Sequence, residues 1–164
     1  ATAGQWQRCV EKGAIPLGGG TGNVRRVRVV AGFRRDVEAL RGLVEADVAA
    51  GKRPFCVVAT VGTSSTSSID PVPAIAEVAE AHQMWLHVDG AYGASAAIVP
   101  EYSHVLYGVA RAHSLVVNPH KWMLTPMDVS VFYTRRPDLL RRAFSLVAGF
   151  LRTSVDDRAR HYHA

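Results

Sequence analysis

Lys121 is the residue whose surroundings most invite covalent chemistry. It stands between two apolar runs, Leu115-Val116-Val117 and Trp122-Met123-Leu124, and packing of that segment would desolvate its amine and disfavour the ammonium form. An unprotonated lysine amine attacks aldehydes, but free lysine titrates at about 10.4 and needs burial or a neighbouring cation to reach that state near neutrality. His120 is directly adjacent. Upstream, Trp85-Leu86-His87-Val88-Asp89 reads as a buried strand that ends on a carboxylate and breaks into Gly90-Ala91-Tyr92-Gly93. The carboxyl end of a strand is where an α/β sheet places its ligand contacts.

Strand and helix signals alternate in a way that would carry these residues to one edge. Asp36 can cap a helix whose apolar positions Val37, Leu40, Val44 and Val48 follow helical spacing, with Gly51 where the helix stops. Phe55 to Thr60 is a short apolar run of the kind buried on both faces of a parallel sheet. Asp70 and Pro71 start a second, alanine-rich helix to Gln83, which leads into a strand over Met84 to Val88. Leu115 to Val117 and Val129 to Tyr133 read as further strands, and Pro137 to Phe144 as a helix begun by proline. Strand-helix-strand alternation implies right-handed crossovers and a parallel sheet. Such a sheet would bring Gly62-Thr63-Ser64, Asp89 and Lys121 together, since each follows a strand.

The remaining signals are weaker. Val24 to Val30 alternates valine with arginine, which suits a strand exposed on one face. Residues from about Gln5 to Ala14 read as a short helix, and Thr153 to Ala164 as a polar end. The glycine cluster Leu17-Gly18-Gly19-Gly20-Thr21-Gly22-Asn23 lacks the Lys-Ser/Thr of a P-loop and the third glycine of a dinucleotide fingerprint, so it reads as a turn.

With 164 residues, 48% of them hydrophobic, the chain has enough material for one domain with a real core. Its charge of +5 sits largely in Arg25-Arg26, Arg34-Arg35, Arg135-Arg136 and Arg141-Arg142. No helix-turn-helix, zinc-finger or basic-aromatic pattern accompanies these pairs, so they read as solvated faces and not as a nucleic-acid footprint. No long apolar run suggests a membrane span, and no metal-ligand spacing is present. Cys9 and Cys56 imply no disulfide framework and fit a reducing cytoplasm.

An amine for a carbonyl and a carboxylate for a ring nitrogen recur together at pyridoxal phosphate sites. Asn118-Pro119-His120-Lys121-Trp122, His87-Val88-Asp89-Gly90-Ala91-Tyr92 and Val58 to Thr66 with Ile69-Asp70-Pro71 resemble, in order and spacing, the three motifs of the pyridoxal-phosphate-dependent group II decarboxylases. The aromatic-L-amino-acid decarboxylase branch fits best, and the resemblance runs along nearly the whole chain.

The resemblance implies an α/β fold type I large domain with a mainly parallel sheet flanked by helices. Residues 1–164 would be a partial large domain, a fragment without the family's N-terminal segment and C-terminal small domain. It implies that Lys121 forms the Schiff base with pyridoxal 5'-phosphate and that Asp89 pairs with the pyridine nitrogen. Ala91 would pack against the ring face, Ser64 and Thr63 would lie near the cofactor, and His120 would border its phosphate. Asp70 is read as structural or indirect. An amino-acid substrate, a cytoplasmic homodimer and release of amine and carbon dioxide complete the expectation.

Two positions depart from the family pattern. Gln7 stands where a ring-stacking histidine is expected. Phe150 stands where the family carries the tyrosine that protonates the substrate carbon after decarboxylation, and within the family that change accompanies aldehyde synthases. An aldehyde synthase with the same cofactor, and a remnant without catalysis, are therefore the alternatives to the decarboxylase reading.

Overall fold

The structure is a computed structural model, which describes Lys12 and residues 21–144. The chain divides into two compact units, 1–134 and 135–164. Among residues 21–144 the first α-helix, α1 (Val37–Ala49), begins where Asp36 Oδ1 accepts the Ala39 N–H at 3.0 Å. It ends at Gly51, whose φ of 74° is left-handed. The Gly51 and Lys52 amides close back on the Val48 and Asp47 carbonyls, each at 2.9 Å, which satisfies carbonyls the helix end would leave open.

Strand β1 (Cys56–Thr60) leads through a turn to α2 (Val72–Ala81) and then to β2 (Trp85–Asp89). The α2 end repeats the left-handed closure with a glutamine. Gln83 has φ 54°, and Met84 N–H reaches the Ala79 carbonyl at 2.8 Å. Three 3-10 segments, Gly93–Ile98, Pro100–Leu106 and Val109–Arg111, connect to β3 (Ser114–Val117), and β4 (Val131–Thr134) follows. The sheet order is β1-β2-β3-β4, with the first two pairings parallel and β3–β4 antiparallel. The chain is thus α/β with a mainly parallel sheet.

Alternation along the strands gives the sheet two different faces. Val57, Ala59, Leu86 and Val88 point into a core completed by Leu40 and Val44 of α1, by Ile75, Ala76, Val78 and Ala79 of α2, and by Val105 and Ala112. Trp85, His87 and Asp89 of β2 lie on the opposite face with Ser114 of β3.

Three local expectations do not hold. Val24 to Val30 forms no strand; its one bridge is Val29 to Arg35. Arg25 instead pairs with Asp47 of α1 at 2.8 Å and Arg28 with Asp36 at 2.6 Å, so the arginines that produced the alternation moor the segment to a helix. Asp70 does not cap α2, which has no side-chain cap. Its carboxylate accepts the Thr60 N–H at 2.8 Å and the Arg35 N–H at 2.9 Å, and pairs with Arg35 Nε at 3.1 Å. Finally, Phe55 to Thr60 is not buried on both faces, since Phe55 is 77% exposed and burial alternates along β1; the antiparallel β3–β4 pairing fits a mainly parallel sheet, because a connection without a crossover helix returns the chain in the opposite direction.

The described part of the second unit is the helix α3 (Pro137–Phe144). Arg136 pairs with Asp138 in its first turn at 2.9 Å.

Candidate active site at the carboxyl edge of the sheet

Main-chain hydrogen bonds lace the loops that leave β1, β2 and β3. Val61 N–H donates to the Asp89 carbonyl at 2.8 Å, Gly90 N–H to Val116 at 3.0 Å, and Asn118 N–H to Ala91 at 3.2 Å. Strand register sets Asp89 between Thr60 and Val116. Asp89 is 7% exposed, and its Oδ1 accepts the Ala91 N–H at 3.1 Å, which fixes the carboxylate at the strand end. Ala91 itself is buried.

The β1 and β2 loops touch through glycine. Gly62 is left-handed with φ 72°, and a Cβ on it would come within 2.5 Å of Gly93 Cα. Only residues without side chains permit that approach. The rest of the β1 loop closes on itself. Thr63 Oγ1 shares a hydrogen bond with Thr66 Oγ1 at 2.8 Å and accepts the Ser68 N–H at 3.3 Å. Its hydroxyl therefore serves its own turn, whereas Ser64 is exposed beside it.

Lys121 ends the 3-10 turn Pro119–Lys121 just beyond β3. That turn is tied to the β2 loop by Trp122, whose indole N–H donates to the Tyr92 carbonyl, with the two rings 5.9 Å apart. His120 is held by the segment that precedes β4. Its Nδ1 lies 2.7 Å from the Val129 carbonyl, 3.1 Å from the Val129 amide and 3.3 Å from Asp128 Oδ1. Desolvation of Lys121 is not what the structure gives: the side chain is exposed. The expectation leaned on the apolar run after it, yet Trp122 and Leu124 stand 47% and 101% exposed and provide no cover.

The structure therefore brings Asp89, Ala91, Thr63, Ser64, His120 and Lys121 to one edge. Gln7 and Phe150 lie outside the described residues. Among the described residues no cluster of His, Cys, Asp and Glu could hold a metal ion, and no helix is long and apolar enough to cross a membrane. A buried carboxylate and an accessible primary amine form a donor set for a protonated ring nitrogen and an aldehyde, and the small side chain of Ala91 leaves a flat group room.

Sequence reasoning passed over the polar network beneath Asp89. Ser114 is buried; its Oγ lies 2.8 Å from His87 Nδ1 and accepts the Trp85 indole N–H at 2.9 Å. His87 stacks on Phe132 with centroids 5.9 Å apart. Burial pushes the His87 imidazolium below its usual range, against an opposing pull from Asp89. The available signal was the two-residue spacing of Trp85, His87 and Asp89, which puts all three on one face.

Known proteins resemble this chain in sequence and in fold. The chain is 43% identical over 137 residues to a tryptophan decarboxylase from Camptotheca acuminata, covering 82% of this chain and 28% of that protein. It is 36% identical to a phenylacetaldehyde synthase from a Rosa hybrid cultivar, covering 93% of this chain and 30% of the relative. The crystal structure of Oryza sativa TDC with PLP and tryptamine superposes with a TM-score of 0.89 at 35% identity, over 94% of this chain and 32% of that one. The chain thus spans under a third of the length of these proteins. The model of the pyridoxal-dependent decarboxylase conserved domain matches residues 1–163, and with the lysine turn and the buried aspartate on one sheet edge, the chain belongs to the pyridoxal-dependent decarboxylase family.

Proposed function

We propose that the protein carrying this chain is a pyridoxal phosphate-dependent decarboxylase that converts aromatic L-amino acids to amines and carbon dioxide. The observation that carries the reading is the delivery of a buried carboxylate, Asp89, and a lysine amine, Lys121, to the same laced edge of a parallel sheet. When bound, the cofactor supplies the electron sink for the bond that breaks. Lys121 Nζ would hold the cofactor aldehyde, and Asp89 would hold a proton at the ring nitrogen. Ala91 would lie against the ring, and His120, Thr63 and Ser64 would line its borders. The Gly62–Gly93 contact keeps the β1 and β2 loops close beside Asp89, which is buried.

In this reading the protein works as a cytoplasmic homodimer. The exposed apolar side chains beside the lysine turn, Leu124 at 101% and Met127 at 82%, support burial against a partner. Similarity to the Camptotheca tryptophan decarboxylase supports the aromatic substrate class.

Replacing Lys121 with alanine in the intact protein abolishes the visible absorbance of the bound cofactor; retention of that band refutes the lysine assignment. A second reading, an aromatic aldehyde synthase, is favoured by Phe150 together with the likeness to the rose phenylacetaldehyde synthase. Phenylalanine keeps the shape of tyrosine and lacks its proton. Incubation with L-tryptophan, L-DOPA or L-phenylalanine separates the two: amine matching carbon dioxide identifies the decarboxylase, and peroxide with aldehyde the synthase.

A further inference from the structure

The hydrogen bonds beneath Asp89 admit one arrangement that satisfies every partner. Tryptophan is a donor only, so Ser114 Oγ accepts from Trp85 Nε1 at 2.9 Å. The serine hydrogen then has His87 Nδ1, at 2.8 Å, as its acceptor. If His87 carried a proton on Nδ1 it would donate to the same oxygen, and the hydrogen of a side chain only 4% exposed would lose its partner. His87 therefore keeps its single proton on Nε2. Its position in register opposite Ser114 makes this bond a property of strand pairing and not of a mobile loop.

We propose that Ser114 is a positioning residue that locks His87 in the neutral, Nε2-protonated form, and that the lock preserves the full negative charge of Asp89 for the cofactor's ring nitrogen. His87 and Asp89 are two residues apart on one strand face, about 7 Å along the strand. An imidazolium at that distance would compete with the ring nitrogen for the same carboxylate. Around His87 stand Val58 from β1, Ser114 from β3 and Phe132 from β4, while His113 stacks on neighbouring Trp85. The charged group acting on His87 is Asp89. The second half of the proposal rests on the assignment of Asp89 made above; the first half does not.

The test is nitrogen-15 NMR of histidine-labelled intact protein without cofactor, with pH profiles of the loaded enzyme, for wild type, Ser114→Ala and Ser114→Thr. Wild-type His87 is expected to show a protonated Nε2 and a bare Nδ1, and to titrate below the ordinary 6.5 of a histidine. Ser114→Ala raises its titration by about one pH unit, a tenfold change in proton affinity, and the acid limb of kcat moves up equally; Ser114→Thr restores both. A proton on Nδ1 in wild type, or a His87 titration unmoved in Ser114→Ala, overturns the lock, and the wild-type spectrum decides even if the alanine variant does not fold. A shifted His87 titration with an unmoved acid limb overturns the link to Asp89. Asp89→Asn with full activity and an intact wild-type lock assigns the failure to the role of Asp89 instead.

Discussion

Adding one methyl group at Gly93 tests the idea that two glycines hold the site together. The new Cβ would stand 2.5 Å from Gly62 Cα, 2.5 Å from the Val61 carbonyl oxygen and 2.9 Å from the Gly62 nitrogen. Carbon atoms rest at about 3.5–4.0 Å, so the overlap is about 1 Å. All three obstacles are main-chain atoms that no rotamer change can move. Overpacking costs about 1–3 kcal/mol, and a rigid obstacle puts Gly93→Ala near the upper end. That is about a hundredfold loss in the folded-to-unfolded ratio, at about 1.4 kcal/mol per factor of ten. Because φ at Gly93 is not left-handed, the effect reports packing and not backbone strain. Gly42→Ala is the matched control: it lies within α1 with no atom within 4 Å of the added Cβ and should gain about 0.5–1 kcal/mol from helix propensity. Urea unfolding followed by tryptophan fluorescence measures both, and cofactor titration of Gly93→Ala should show weakened binding as the two loops part. A Gly93→Ala midpoint equal to wild type, or a shift equal to that of Gly42→Ala, refutes the interlock.

Further predictions follow from other contacts. Gln83→Gly should stabilise the protein by about 1 kcal/mol, because φ 54° is left-handed and costs a residue with a side chain about that much; an unchanged melting temperature counts against it. Asp70→Ala should destabilise by about 3 kcal/mol, since it strips the partner from Arg35, whose side chain is 16% exposed, and leaves the Thr60 amide unbonded; equal stability in denaturant would remove the clamp. Acid should act in two stages. Burial lowers His87 from its ordinary 6.5, so the unfolded chain binds that proton first and stability falls as pH drops below about 6.5. The Ala39 amide and Arg28 lower Asp36, Arg25 lowers Asp47 to about 2, and Arg111 lowers Glu80. Their contributions are present above the ordinary carboxylate range and disappear as pH falls through the lowered values. Melting temperatures from pH 7 to pH 3 should decline throughout, and a flat profile would contradict the pairings.

Local chemistry was legible in the sequence where one residue acts on its near neighbours. Asp36 and Gly51 bound α1 because a cap needs only the next turn. The β1 and β2 strands and the terminal Asp89 were equally plain, but burial on both faces was not: it alternates along each strand, with Cys56 exposed and Val58 and His87 half-buried. Most of the failures involve distant partners. Asp70 looks like a cap until Arg35 and the end of β1 claim its oxygens. The valine-arginine alternation of residues 24–30 has the period of a strand, but α1 carboxylates take Arg25 and Arg28. Lys121 was expected to be covered by its sequence neighbours, which are apolar and exposed. The Ser114–His87 bond depends on strand register, which no single-strand pattern reveals.

The lacing of the carboxyl edge has an evolutionary consequence. Its cross-loop bonds join Val61 to Asp89, Gly90 to Val116 and Asn118 to Ala91 through main-chain atoms, and Trp122 reaches only the carbonyl of Tyr92. A bond between peptide groups is indifferent to the side chains it carries, so substitutions that leave the glycines in place can accumulate without unpinning the scaffold. New substrate preferences and new product outcomes can therefore be explored one side chain at a time, from a starting point whose frame does not have to be reinvented.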